Sequence, residues 1–519
     1  MRSPPVIRTD VQTQWHRILV MVWSSVEFAD FPYWATVLFT VADFAIRIAL
    51  LGIVPGNRRP AVAMAWLLVI FFLPIPGLLL FLLLGSFQLG GQRRSRQIAV
   101  NSELRRATAH MDLPNQADAA PNYVAANSKL TRRLTGFPML DGNVFEYLTD
   151  YRASLERMAQ DIDAAKDYVN VMFYIVGTDP KNRPGYADVV LDAMARAVQR
   201  GVTVRLIFDH VGTARVRGYR QLLSRLDAAG IDYHRSLPVR PWRGEYQRPD
   251  LRNHRKMVIV DGTIGYTGSM NLIEPGYKRS SAHKMGRHWQ DMMARMEGPS
   301  VASLDLVFAT DWFSETGKQL QQDLRGVTES EIEDHEGPAA QIIPSGPGFS
   351  QENNLRAFNH LFYSATESIR VVTPYLVPDD SMLYALTSAA QRGVRVELLV
   401  VRRADQLAVH HAQQSYFEQL LRAGIHIYRY PDPDVLHSKL FTIDNDVGIF
   451  GSSNMDMRSF SLNSEVTVMV VGPDEVAKLD GIIDEYQAKC EHLVLKDWLA
   501  RPRHRRWLDN VFRLTSALQ

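Results

Sequence analysis

Two short segments carry residues whose types and spacing suit chemistry on phosphorus. The first is His254-Arg-Lys256-Met-Val-Ile-Val-Asp261, followed by Gly268-Ser269-Met-Asn271. The second is His437-Ser-Lys439-Leu-Phe-Thr-Ile-Asp444, followed by Gly451-Ser452-Ser-Asn454. The spacing is the same in both. In an extended strand, residues i and i+2 point to one face, so each His shares its face with a Lys. A second short strand (Ile264–Thr267; Val447–Phe450) leads to a Gly-Ser turn that returns a hydroxyl and an amide to the same place. Each copy then presents half of a phosphate site. Two facing halves set imidazoles on opposite sides of one phosphorus. One attacks in line, while the other protonates the departing alkoxide and then deprotonates the incoming alcohol. Lys256 and Lys439 join the histidines as catalytic groups, and Ser269, Asn271, Ser452 and Asn454 bind the phosphate oxygens. Neither a metal nor another cofactor is called for. Asp261 and Asp444 are counted with the catalytic set, and a turn role at the strand ends is equally open to them.

The elements that must position these residues repeat. Ala164–Tyr174 matches Ala365–Tyr375, Val198–Val204 matches Ala390–Val396, and Leu226–Ile231 matches Leu420–Ile425. Each copy reads strand (Tyr168–Ile175; Ile369–Val377), helix, strand (Val202–Phe208; Val394–Val401), helix, motif strand. This is the alternation of an α/β fold. The motif strands, Met257–Val260 and Leu440–Ile443, are unbroken apolar runs, as expected of a sheet covered on both faces. The methionines around the first motif (Met257, Met270, Met285, Met292, Met293, Met296) read as core rather than as an acyl channel. The organisation expected is an N-terminal segment (1–33), a helical hairpin (34–84), a linker (85–135), lobe 1 (136–328), an acidic linker (329–340), lobe 2 (341–495) and a basic-aromatic C-terminal segment (496–519).

The chain has 519 residues, of which 46% are hydrophobic, and a net charge of +2. The near-neutral balance argues against a nucleic-acid groove, which needs a concentrated basic face. The single cysteine, Cys490, excludes an internal disulfide framework. Two apolar runs, Trp34–Val54 and Ala61–Leu84, are each long enough at about 1.5 Å per residue to cross a hydrocarbon core of roughly 30 Å. Asp43 and Arg47 in the first fall at i,i+4 and can neutralise each other. Pro74 and Pro76 should kink the second. Arg2, Arg8, Arg17, Arg93, Arg94 and Arg96 flank the hairpin, while Arg58 and Arg59 sit in its turn. That bias places both ends in the cytoplasm. The run Lys496–Trp507 mixes basic and aromatic residues. It reads equally as a solvated helix end and as a segment lying on anionic lipid.

The doubled His-x-Lys-x4-Asp…Gly-Ser-x-Asn resembles the phospholipase D superfamily, in which two His motifs form one site. Within it, the chain resembles the bacterial cardiolipin synthases from about residue 34 onward. The likeness rests on the hairpin, Arg252-Asn253 before the first motif and Asn454-Met-Asp456-Met-Arg458-Ser459 with Asn463 and Glu465 after the second. Gln341-Ile-Ile-Pro-Ser-Gly-Pro347 adds to it. The resemblance implies a pseudo-twofold pair of phospholipase D-type α/β/α sandwich lobes behind a two-helix transmembrane hairpin in a bacterial plasma membrane. It implies that two phosphatidylglycerols are joined into cardiolipin, with release of glycerol, through a phosphohistidine. His254 would carry the phosphatidyl group and His437 would be the acid/base, although the pseudo-symmetry admits the reverse. Asp291 and Glu465 fall at the carboxylate position that orients the histidines. The partners implied are phosphatidylglycerol and anionic membrane lipid, with no nucleic acid. A homo-oligomer and phosphatidylethanolamine as co-substrate are left open. The alternative activity is a hydrolytic phospholipase D that uses water and releases phosphatidic acid.

Overall fold

The computed structural model describes residues 32–56, 58, 60–85, 89–108, 120–178, 185–240, 245–277, 279–320 and 337–516. The expectations placed on Arg2, Arg8, Arg17, Arg59 and the acidic stretch 329–336 lie outside these residues. The chain divides into two compact units, residues 1–86 and 87–519.

The N-terminal unit is helical. The first apolar run forms the helix Tyr33–Ile53, and Arg47 Nε reaches Asp43 Oδ2 at 2.8 Å inside it. The second run differs from expectation. In place of one kinked helix there are two, Pro60–Phe72 and Pro74–Leu84. Proline disfavours the helical region for the residue before it, and Leu73 lies outside that region, at φ −131° and ψ 75°. Among the described residues, no helix is long and apolar enough to cross a membrane. The first carries an ion pair, and the second run is broken into lengths of 13 and 11 residues.

The second unit is built on two sheets of matching order. In the first, the strands run Val144–Leu148, Met293–Glu297, Ile264–Gly268, Met257–Val260, Tyr168–Phe173, Thr203–Asp209, Asp232–Ser236. In the second, the equivalent strands run Ala339–Ser345, Asn463–Val471, Val447–Gly451, Leu440–Ile443, Ser368–Val372, Arg395–Val401, His426–Tyr430. The last three of each series are parallel and the remaining pairs antiparallel. The repeat Gln-Arg-Gly-Val explains one recurring join. Gly201 and Gly393 take positive φ after their helices, +89° and +96°. Val202 N–H and Val394 N–H then return to the carbonyls of Ala197 and Ala389. A β-carbon is strained in that conformation, so glycine turns each helix into the next strand.

Both faces of the first sheet are buried. Met257 and Ile259 belong to one apolar core, while Val258 and Val260 belong to the other. The alternation of a strand divides a continuous apolar run between two layers. Five of the six methionines near the first motif are packed in these cores, and Met285 is exposed. The region 85–135 holds two helices, Gly91–Ala107 and Asn122–Thr135. The second presents Asn127, Ser128, Thr131 and Thr135 inward, and Thr131 Oγ1 donates to Gln341 Oε1 at 2.6 Å.

Candidate active site

Two crossed strand pairs bring the motifs together. Arg252–Asn253, just before His254, pairs in parallel with Asn463–Ser464, just before Glu465. Trp289–Gln290, just before Asp291, pairs in parallel with Val435–Leu436, just before His437. Each histidine therefore enters beside the carboxylate of the opposite lobe. His254 Nδ1 lies 3.0 Å from both Glu465 oxygens, and His437 Nδ1 lies 2.6 Å from Asp291 Oδ1. Arg255 fastens the crossing. Its guanidinium donates to Asp311 Oδ1 and to the carbonyls of Glu465 and Ser345.

All of these side chains are buried. Burial raises both carboxyls, but His254 with Lys256 around Glu465, and His437 with Lys439 around Asp291, outweigh it, so both pKa values end below the ordinary range. An ionised carboxylate only accepts, so each Nδ1 carries the proton and each Nε2 is left with a free lone pair. Burial pushes His254 down to about 4, against the pull of Glu465, with Lys256 and Lys439 assisting. His437 is lowered by the same cause, with Lys439 and Lys256 assisting. Each imidazole thus feels the lysines of both lobes, which makes the two motifs one electrostatic cluster. Burial also lowers Lys256 to about 7 and Lys439 to about 8. Each ammonium donates to the carbonyl of its own histidine, at 2.5 Å in both copies.

The other expected site residues divide. Ser269 and Ser452, expected to bind phosphate, donate to Asp291 Oδ1 at 2.6 Å and Glu465 Oε2 at 2.5 Å. They brace the carboxylates that hold the histidines. Asn271 spans Ile175 N–H and the hydroxyl of Tyr277. Asn454 is buried with Oδ1 unpaired among the described residues, as are Asp291 Oδ2 and Asn463 Oδ1. Of the two roles open to Asp261 and Asp444, their contacts favour the turn. Asp261 accepts from the backbone N–H groups of Lys166, Asp167 and Tyr168. Asp444 does the same for Thr366, Glu367 and Ser368. Both sit at positive φ beyond the far end of the motif strand, roughly 16 Å along it from the lysine at about 3.3 Å per residue. They tie the turn before the neighbouring strand.

Sequence reasoning missed the aromatic walls. The ring of Tyr174 stands edge-on to His254 at 5.0 Å, and Lys256 Nζ lies 5.8 Å from its centroid. Tyr277 meets His437 at 6.1 Å and Trp289 at 4.7 Å. Tyr174 was visible as a matched position within the repeat, opposite Tyr375. Tyr277 lies in the longer insertion of lobe 1 and carried no such signal. Among the described residues, no group of three or more His, Cys, Asp or Glu side chains is placed to hold a metal ion.

A doubled mixed sheet with one histidine-lysine pair from each lobe meeting at a single site defines the two-lobed phospholipase D class. The comparisons agree with that class and narrow it. A family described as "Cardiolipin synthase, PLD-like domain" matches residues 158–312 and 359–487, and "Phospholipase_D-nuclease N-terminal" matches residues 44–86. Cardiolipin synthase A of Serratia proteamaculans (strain 568) is 34% identical over 491 residues, covering 94% of this chain and 97% of the relative. Cardiolipin synthase A of Yersinia pseudotuberculosis serotype O:1b (strain IP 31758) is 34% identical over 508 residues, covering 96% and 99%. The crystal structure of phosphatidylserine synthase from Haemophilus influenzae Rd KW20 shares the fold. Its TM-score is 0.56 at 13% identity, over 76% of this chain and 100% of that one. The chain belongs to the cardiolipin synthase family and is a phosphatidyltransferase of the phospholipase D superfamily.

Proposed function

We propose that this enzyme joins two phosphatidylglycerol molecules into cardiolipin and glycerol by way of a phosphohistidine on His254. The observation that carries the proposal is the pair of buried imidazoles, each held at Nδ1 by a carboxylate from the other lobe. His254, depressed to about 4, is unprotonated near neutrality, so its Nε2 lone pair is available to attack phosphorus. The bond from phosphorus to the glycerol oxygen breaks as the new P–N bond forms. His437, whose proton affinity rises when an anionic phosphodiester enters, passes a proton to the leaving glycerol. In the second half, His437 takes the proton from a hydroxyl of the second phosphatidylglycerol. That oxygen displaces His254 and restores the enzyme. Lys256 and Lys439 offset the charge on the phosphate oxygens. The buried acceptors Asn454 Oδ1 and Asn463 Oδ1 suit the hydroxyls of a glycerol headgroup.

The proposal includes a membrane location, with the N-terminal unit in lipid and the catalytic unit on the cytoplasmic side. Its support is the apolar surface of that unit, with Phe44, Phe72 and Leu82 each more than half exposed, and the basic residues flanking it in sequence. Purified enzyme in liposomes with labelled phosphatidylglycerol tests the activity. Cardiolipin and glycerol in equal amounts are expected. Phosphatidic acid as the main product would make water the acceptor and overturn the transfer reading.

A further inference from the structure

We infer that the C-terminal helix Arg503–Arg513 is an interfacial docking surface for an anionic bilayer, set against the active-site lobe. One side of the helix is committed to the protein. Asp509 is buried and accepts from Arg501 at 3.0 Å and pairs with His411 Nδ1 at 2.8 Å. Phe512 stacks on the His411 ring at 5.2 Å, and Arg513 lies over Tyr416 at 4.5 Å. The other side is apolar and exposed. Trp507, Val511 and, just past the helix end, Leu514 are 67%, 39% and 84% exposed. They follow Arg503 at i+4, i+8 and i+11, so all four share one face. Arg503 is exposed at the head of the stripe, and Arg506, partly exposed, lies along its edge, so positive charge borders it.

A surface stripe of Trp, Val and Leu bordered by arginines matches an anionic lipid interface. There the aromatic ring sits at the headgroup level and the guanidinium groups meet phosphates. Its place in the fold supports the same occupant. The helix Leu407–Arg422, which carries His411, begins just after Asp405. Asp405 accepts from Tyr375, the counterpart of the site tyrosine Tyr174, and from Arg279 of the other lobe. Arg279 in turn lies 5.7 Å over the ring of Trp289, which packs on the site tyrosine Tyr277, so the docked helix is linked to a wall of the site. The inference rests on the reading that the substrate is a membrane phospholipid, and it assigns the surface on which that substrate is met.

The test uses the full chain with Cys490→Ala and Leu514→Cys, labelled at the new thiol with an environment-sensitive fluorophore and reconstituted into vesicles. In phosphatidylglycerol-containing vesicles, a blue-shifted emission and quenching by brominated acyl chains are expected, with a smaller response in phosphatidylcholine alone. Arg503→Gln and Arg506→Gln should each weaken the response about fivefold. A label that stays water-exposed in both vesicles overturns the proposal. So does a shift that follows protein density rather than lipid charge, which would assign the stripe to a second copy of the chain. A second variant, Trp507→Glu with Leu514→Glu, should slow turnover of vesicle phosphatidylglycerol at least about fivefold and leave dispersed short-chain phosphatidylglycerol within about twofold. Equal loss on both substrates overturns docking. The fluorescence does not depend on catalysis, so failure of the phosphatidylglycerol reading is seen separately, as absence of turnover by the unmodified enzyme.

Discussion

Glu465→Gln isolates the contact on which the proposed nucleophile, His254, depends. The carboxylate is fully buried, equidistant at 3.0 Å from His254 Nδ1 and braced by Ser452 at 2.5 Å. The amide keeps the volume and one acceptor, but it loses the charge and adds a donor. A charge-assisted hydrogen bond contributes about 1.5–3 kcal/mol, which corresponds to roughly 10–150-fold in rate. Two further effects act in the same direction. The amide N–H group favours the tautomer with a bare Nδ1, which moves the proton to Nε2 and removes the attacking lone pair. Lys256 also loses its principal anionic neighbour and falls further below about 7. The expected loss in kcat/KM is therefore at least about 100-fold and up to about 10⁴-fold, the range typical for removing an orienting acid-base partner. Steady-state transfer from labelled phosphatidylglycerol measures it, and circular dichroism with thermal melting checks the fold. Turnover within about threefold of the unmodified enzyme, with the fold intact, would refute the reasoning.

Other expectations follow from the same geometry. The pH profile of kcat/KM, which reports the free enzyme, should be displaced on its acid side. His254 is held neutral by burial down to about 4, so activity should persist well below 6.5, the ordinary imidazole value, and fall as pH drops through the lowered pKa. On the alkaline side, Lys256 and Lys439, lowered to about 7 and 8, lose charge as pH rises through that window, and activity should decline there. A plateau extending past pH 9 in neutral detergent would contradict the buried-lysine account. Asp444→Asn should reduce stability by about 1–3 kcal/mol, because an amide N–H group then faces a backbone donor. It should leave kcat within about threefold, and denaturant unfolding alongside turnover distinguishes this from a catalytic role. Ser269→Ala should slow transfer about tenfold through Asp291, and a change in KM alone would return the serine to phosphate binding.

The doubled α/β pattern and the pairing of each histidine with its lysine were legible in the residues, because strand alternation and internal repetition are local signals. The exchange of carboxylates between lobes was not. It depends on Arg252–Asn253 pairing with Asn463–Ser464 and Trp289–Gln290 with Val435–Leu436, contacts that no local period encodes. For Asp261 and Asp444 the sequence left a catalytic and a turn role open, and one further signal favours the turn. Seven residues beyond the histidine is an odd offset, which puts the side chain on the opposite face of an extended strand. The serines were assigned by residue type to phosphate, yet a hydroxyl next to a buried carboxylate donates there first. The broken second apolar run is a similar case. Pro74 was read as a kink, and its restraint on Leu73 was enough to end one helix and start another.

The central claim is that two motifs make one site in which His254 is the nucleophile. A phosphatidyl ester of p-nitrophenol tests it most directly, since that leaving group needs no proton from His437. Rapid-mixing measurement of nitrophenolate should show a burst of one equivalent per chain. The His437→Ala variant should retain the burst and stall, with the phosphoryl group on His254 by mass spectrometry, and His254→Ala should show none. Two equivalents per chain, or a burst that survives His254→Ala and is lost in His437→Ala, would contradict the account.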